Sequence, residues 1–148
     1  MFRGATSLSL DAKNRLAVPT KHRESIFEEC DGNVVLTGHP HRCLLLYPQP
    51  AWEPIEKKLM SLSSFDKKSS AVQRLLVGLA EDLVLDSTGR ILVSNVLKEF
   101  ALLDKEVMLV GQGSHFEIWN MEAWRAQMAQ VIQDEEFVMP EELGGFSL

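Results

Sequence analysis

The stretch Leu8-Ser9-Leu10-Asp11-Ala12-Lys13-Asn14-Arg15-Leu16-Ala17-Val18 returns 75 residues later as Leu83-Val84-Leu85-Asp86-Ser87-Thr88-Gly89-Arg90-Ile91-Leu92-Val93. Farther along, Asn33–Gly38 matches Glu106–Gly111 at an offset of 73, and Trp52 matches Trp124 at an offset of 72. Because the order is kept and the offset changes little, we infer that the chain is a tandem duplication of one module.

Both copies show the same pattern of elements. Alternating apolar residues predict a strand, turn residues follow, and a second strand leads into a short helix and two more strands. In the first copy these are a strand near residues 6–11, a strand at Leu16 and Val18, a helix from Pro19-Thr20, and strands at Val34–Thr37 and Cys43–Tyr47. In the second copy they are a strand at Leu83 and Leu85, a strand at Ile91 and Val93, a helix from Ser94-Asn95, and strands at Val107–Val110 and Phe116–Trp119.

Helices are expected to follow each set of strands. Their predicted ranges are Trp52–Ser63, Lys67–Leu79 and Met121–Gln133. Trp52 and Trp124 lie on apolar helix faces, which suit either packing on the strands or contact with another copy. The tail Asp134–Leu148 carries five acidic and no basic residues and is expected to be loosely ordered.

A module of about 45 residues is too small to bury a sufficient core alone. We therefore expect the two copies to share one core and to close a β-barrel, which would also remove exposed strand edges. The predicted fold class is α+β, mainly β, with flanking helices. The predicted modules are residues 1–80, with the basic turn and a helical extension, and residues 81–148, with the last helix and the acidic tail.

Charge is unevenly distributed along the chain. The formal net charge is −6, yet residues 1–25 hold five basic and two acidic side chains, whereas residues 69–148 hold five basic and thirteen acidic ones. A nucleic-acid contact is therefore expected near the N-terminus. No apolar run is long enough for a membrane helix and no signal peptide is recognisable, so a cytoplasmic protein is expected.

The motif Asp-x-x-x-Arg occurs at the same turn of both copies, as Asp11 with Arg15 and as Asp86 with Arg90. A carboxylate at this place can accept hydrogen bonds from turn amides and pair with the guanidinium that follows. We interpret Asp11, Asp86 and Arg90 as residues that shape the two turns. The first turn also carries Lys13 and Asn14, so Arg15 is the stronger candidate for a contact with phosphate or a base edge.

Enzyme chemistry has little support in the sequence. Phosphate-binding loops, dinucleotide-binding glycines and a nucleophile elbow are missing, so no enzyme activity and no cofactor are predicted. A metal site at His39-Pro40-His41 and Cys43 is disfavoured, because no further ligand lies at a suitable spacing. Cys30 and Cys43 are expected to be reduced and at least partly buried thiols.

The opening Met1-Phe2-Arg3-Gly4 and the run Leu10–Pro19 resemble the beginning of MraZ proteins, and the duplicated module resembles the SpoVT-AbrB swapped-hairpin fold. The resemblance covers almost the whole chain. It departs from the family at Asn14, where glycine is frequent, but asparagine also tolerates a left-handed backbone.

The resemblance implies a sequence-specific transcription factor of the bacterial division and cell wall gene cluster. Its members form ring-like homo-oligomers and bind short repeats of double-stranded DNA upstream of their own gene, which places the protein on the nucleoid. By position, Arg15, Lys13, Asn14 and Arg3 are the implied DNA-binding residues. The alternative is an interaction module, such as an antitoxin, that binds no DNA, because fold alone does not fix function.

Overall fold

A computed structural model describes residues 1–134 and 139–146 of the chain. The first copy contains β1 (Ala5–Ser9), β2 (Arg15–Ala17), α1 (Thr20–Cys30), β3 (Asn33–Gly38), β4 (Leu44–Pro48), α2 (Gln49–Met60) and α3 (Lys67–Leu76). The second contains β5 (Glu81–Val84), β6 (Arg90–Leu92), α4 (Asn95–Phe100), β7 (Glu106–Gly111), β8 (Phe116–Asn120) and α5 (Met121–Gln133), followed by a short 3-10 helix, Glu141–Leu143.

The local elements agree with the sequence-based predictions within a few residues. Pro19 and Ser94 stand at the N-caps of α1 and α4, and the Ser94 hydroxyl accepts a hydrogen bond from the Leu97 amide at 3.3 Å. Asn120 caps α5 in the same way through the Ala123 amide, at 3.0 Å. Part of the acidic tail, residues 135–138 and 147–148, lies outside the described residues, so its expected looseness stays a prediction there.

The two copies exchange strands. Six strands form one antiparallel sheet in the order β1-β7-β8-β4-β3-β5, so the first strand of each copy pairs with the third strand of the other. Leu8 lies opposite Val107, and the repeat-equivalent Leu83 lies opposite Val34. The modules therefore share one core, and neither has a complete sheet of its own.

Among the described residues, the expected closed barrel is absent. β1 and β5 remain the two edges of the sheet, and β2 pairs with β6 in a separate two-stranded ribbon. This ribbon covers one face of the sheet by burying Leu16 and Ile91, together with Ile26 of α1 and Leu97 of α4. The side chains of the ribbon and helices cover this face of the sheet, although β1 and β5 are not hydrogen-bonded to each other to close a barrel. The α+β class is confirmed, because the part of the chain that the structure describes combines an antiparallel sheet with five α-helices. The protein is not mainly β, because among the described residues the helices contain more residues than the strands.

The opposite face of the sheet is covered by α2, α3 and α5. Trp52 of α2 is 3% exposed and packs with Val35, Leu45 and Tyr47. Trp124 of α5 is partly buried beside Trp119. Packing on the sheet is therefore the role of Trp52, and the ribbon and these three helices lie on opposite sides of the molecule.

Candidate nucleic-acid interface

The first turn is held by the Asp11 carboxylate. Its Oδ1 atom accepts hydrogen bonds from the Lys13 and Arg15 amides at 2.9 and 2.8 Å, and its Oδ2 atom accepts one from Arg15 Nε at 2.8 Å. The Arg15 amide is the main reason that the pKa of the Asp11 carboxyl lies below its ordinary value. Asp11 thus remains an anion and fixes both the turn and the arginine that ends it.

The second turn repeats this arrangement. Asp86 Oδ1 accepts hydrogen bonds from the Thr88 and Arg90 amides, and Asp86 Oδ2 accepts one from Arg90 Nε at 2.8 Å. The Thr88 hydroxyl adds a further bond to Oδ1 at 2.9 Å. The pKa of the Asp86 carboxyl is strongly lowered, first by the Arg90 amide. The second turn is therefore the more heavily bonded of the two, although it has no basic residue at the place of Lys13.

The pleat of the ribbon brings both arginines to one surface. Leu16 and Ile91 point into the core, so Arg15, Ala17, Arg90 and Leu92 point away from it; we call these four residues the ribbon face. Arg15 pairs with Leu92 and Ala17 pairs with Arg90, which makes the two arginines diagonal neighbours, roughly 8 Å apart at Cα.

Each arginine is bound to its aspartate through Nε alone. Among the described residues, the two terminal amino groups of Arg15 and of Arg90 have no hydrogen-bond partner. A guanidinium held in this way keeps its outer edge for two parallel hydrogen bonds, which matches a phosphate or the O6 and N7 atoms of guanine. The aspartates thus orient the arginines and leave the outer edge of each guanidinium without a partner among the described residues.

Asn14 connects the first turn to the other module. Its backbone is left-handed, with φ 61°, and its Oδ1 atom accepts a hydrogen bond from Lys98 Nζ of α4 at 2.9 Å. Lys13, the neighbouring predicted contact, is exposed. The structure therefore brings Lys13, Asn14 and Arg15 together and adds Lys98 to them.

Arg23 lies against the second turn, although it is close to Arg15 in sequence. A Cβ atom added to Gly89 would collide with the side chain of Arg23 around Nε, so the arginine rests directly on this glycine. Arg23 Nε also donates to the Val18 carbonyl oxygen at 2.9 Å. Arg23 of α1 thus lies beside the second turn, and Lys98 of α4 lies beside the first, so each contacts the turn of the other module.

Arg3 lies away from both turns. The backbone at Phe2 and Gly4 pairs with Gly113 and Gly111, at the hairpin between β7 and β8. From there the chain runs through β1 (Ala5–Ser9) to Asp11, and eight residues of largely extended chain span roughly 26 Å. Arg3 is exposed, but the structure does not place it on the ribbon face, and its DNA contact stays a prediction.

The surroundings of the ribbon are positively charged. The basic residues on or beside the two turns outnumber the acidic ones, and Asp11 and Asp86 are each engaged in an ion pair with an arginine. The basic residues are Lys13, Arg15, Arg23, Arg90, Lys98 and Lys105, and the acidic ones are Asp11, Asp86 and Asp104, the last of which lines the same pocket as Asp11 and Lys98. This local excess contrasts with the net charge of −6 for the chain.

Other kinds of site have less support. Within residues 1–134 and 139–146, no three His, Cys, Asp or Glu side chains are grouped so that they could hold a metal ion. None of the described helices has the length and apolar character that crossing a membrane requires. Cys30 is a partly buried free thiol and Cys43 a buried one, which confirms the sequence-based expectation.

Comparison with known proteins gives a consistent result. The family model described as "MraZ protein, putative antitoxin-like" matches the chain twice, over residues 1–75 and 76–143. The chain belongs to the MraZ family. A protein of Methylobacillus flagellatus named "Transcriptional regulator MraZ" is 68% identical over 148 residues, with both chains fully covered. A protein of the same name from Nitrosomonas europaea is 52% identical over the full length of both chains.

A further relative from Dechloromonas aromatica, again named "Transcriptional regulator MraZ", is 50% identical over 127 residues, or 86% of each chain. The MraZ family is thus one of transcriptional regulators and not of enzymes. The two family matches coincide with the internal duplication and so confirm the resemblance to MraZ proteins that the motifs indicated.

Two features of the interface were not predicted from the sequence. Arg90 was interpreted only as a turn residue, yet it shares a surface with Arg15, and Lys98 was not singled out at all. The repeat contained a signal for Lys98, because it stands 75 residues after Arg23 and so continues the offset of the two turns. Basic residues at equivalent positions of both copies would have been the pattern to search for.

Proposed function

We propose that this protein is a sequence-specific, DNA-binding transcriptional regulator that contacts double-stranded DNA through the ribbon face. The observation that carries the proposal is the pair of aspartate-oriented arginines, Arg15 and Arg90, on one outward surface. Their free guanidinium edges suit base edges or phosphates, and Lys13 adds a charge for the DNA backbone.

The proposal includes the gene cluster and the assembly that the family resemblance implies. The protein would bind short repeats in the promoter upstream of its own gene, at the head of the division and cell wall cluster, as a ring-like homo-oligomer in the cytoplasm at the nucleoid. One ribbon face per subunit offers few contacts. A ring that presents several faces to successive repeats would raise the effective concentration of each face at its site.

The modules are proposed to be two SpoVT-AbrB units, residues 1–80 and 81–148, whose first hairpins are exchanged. The reciprocal pairing of β1 with β7 and of β5 with β3 supports this assignment. The antitoxin-like description of the family favours the second candidate, a module that binds a protein and no DNA. An interaction module of that kind would not require oriented arginines on a positively charged surface.

The test is fluorescence-anisotropy binding to DNA from upstream of the gene, against a scrambled duplex, over a series of salt concentrations. We expect preference for the promoter DNA, a steep salt dependence, and loss of binding in Arg15→Ala. Arg125→Ala is the matched control, because it removes an exposed arginine from α5 on the other side of the sheet. Equal affinity of the wild type for both duplexes, with the oligomer verified by light scattering, would refute the proposal and favour the interaction module.

A further inference from the structure

Lys98 and Arg23 are equivalent residues of the duplication, and each contacts the turn of the module to which it does not belong. Lys98 donates to Asn14 of the first turn, and Arg23 rests on Gly89 of the second. Asn14 and Gly89 are themselves equivalent and both have a left-handed backbone, with φ values of 61° and 75°. The contacts thus form two related pairs across the module boundary.

The residues of the two pairs fit one another. Gly89 has no Cβ and leaves room for the guanidinium of Arg23, whereas the Asn14 amide fills that space and offers an acceptor to the smaller ammonium of Lys98. An asparagine at position 89 would collide with Arg23 as it is placed. The difference between Asn14 and Gly89 in the two copies is therefore matched by the residue that faces each of them.

Neither cation is held in an ion pair. Among the described residues, no carboxylate lies within ion-pair distance of Lys98 or Arg23, although acidic residues outnumber basic ones in the chain. A lysine that served only to join two modules would gain from a carboxylate partner. Asp104 lines the same pocket as Lys98 but forms no ion pair with it. Positive charge outside any ion pair beside each arginine turn suits an anion that comes from outside the protein.

We propose that Lys98 and Arg23 are positioning residues of the DNA interface, each of which holds the turn of the opposite module and adds its charge to the surface that meets the phosphate backbone. The inference rests on the proposed function and extends it to two side chains on helices outside the motif. Each DNA-binding turn would then be held by residues of both modules, since the first turn depends on α4 and the second on α1.

The test measures the salt dependence of DNA binding for Lys98→Gln, Lys98→Arg and Arg23→Gln. Lys98→Gln keeps a hydrogen-bond donor near Asn14 but removes the charge. We expect Lys98→Gln and Arg23→Gln each to lower affinity several-fold, up to about tenfold, and to reduce the slope of log K against log salt by about 1 per bound chain. Lys98→Arg should restore the slope. Lys67→Gln, on α3 at the far side of the sheet, is the control for net charge and should leave the slope unchanged.

Promoter and scrambled duplexes are both used, because the salt slope reports phosphate contacts on either one. Loss of promoter preference in the wild type would refute the proposed function. An unchanged slope for Lys98→Gln or Arg23→Gln on both duplexes, with Arg15→Ala impaired, would overturn the present inference alone. Circular dichroism and light scattering verify that each variant is folded and assembled as the wild type is.

The hydrogen bond itself is tested by a double-mutant cycle of Asn14→Gly with Lys98→Met, because methionine removes the donor that Asn14 accepts from. Glycine adopts the left-handed backbone conformation without steric cost, so Asn14→Gly removes the acceptor without backbone strain. If the pair acts as a unit, the two substitutions together should reduce affinity by less than the product of their separate effects. A strictly multiplicative result would mean that Lys98 does not act through Asn14 and would overturn its positioning role.

Discussion

Leu16 lies directly opposite Ile91 in the ribbon, and the two residues occupy the same position of the repeat. The register is symmetric about this pair, since the Val18 amide donates to the Gly89 carbonyl oxygen and the Val93 amide to that of Asn14, both at 2.9 Å. The ribbon therefore behaves as the centre of a local two-fold arrangement, in which each turn lies at one end of a three-residue strand pair. Its attachment to the sheet depends on these two buried side chains.

Leu16→Ala is expected to destabilise the fold by about 2–5 kcal/mol, because the side chain is 0% exposed and its removal leaves a cavity under the ribbon. Leu92→Ala on the ribbon face is the matched control, since Leu92 is 55% exposed, and it should change stability by no more than about 0.5 kcal/mol. Urea unfolding followed by circular dichroism measures both. Equal losses in the two variants would contradict the assigned faces of the strand.

Acid should weaken the second turn through Asp86. The pKa of this carboxyl is lower in the folded protein than its ordinary value of 3.8, so its stabilising effect is complete above that value and is lost as the pH falls toward the folded-state pKa. We expect the melting temperature of the wild type to fall between about pH 4 and pH 2 more steeply than that of Asp86→Asn. If the melting temperatures of the two proteins fell equally with pH, the Asp86 carboxylate would not be stabilising the second turn through its hydrogen bonds.

Cys43 should be the less reactive of the two thiols. It is 0% exposed, and burial is the main cause that raises its pKa to about 12, whereas Cys30 is only partly buried. In Cys30→Ser, Cys43 is the remaining thiol. Because the thiolate is the reactive form and little of it exists at pH 8, this variant should show almost no reaction with a disulfide reagent at that pH until the protein is unfolded. Rapid labelling of Cys43 in native Cys30→Ser would contradict its burial.

The two helix tryptophans should differ in their effect on stability. Trp52→Ala is expected to cost about 3–5 kcal/mol, because Trp52 is 3% exposed within its apolar cluster. Trp124→Ala should cost clearly less, because Trp124 is only partly buried. Denaturant unfolding at two protein concentrations measures the costs. A cost for Trp124→Ala that equals that of Trp52→Ala and varies with protein concentration would instead place Trp124 in a contact between subunits.

Much of the site could be predicted because its signals are local. An aspartate four residues before an arginine, around turn residues, predicts the hydrogen bonds that Asp11 and Asp86 receive, since all the atoms involved lie within five residues of the chain. Alternation likewise predicted the strands that contain Leu16 and Ile91. The outward direction of Arg15 and Arg90 follows from the same alternation once their strands are known to pair.

The sequence by itself determined the duplication, the order of strands and helices in each copy, and the two arginine turns, because each is encoded by residues that are close along the chain. Only the tertiary structure decided that β1 pairs with β7, that the sheet stays open, and that Lys98 reaches Asn14, 84 residues away. It also decided that Arg3 lies at the far end of β1. Such pairings depend on which apolar surfaces can be buried together, and contacts between distant segments leave no periodic trace in the sequence.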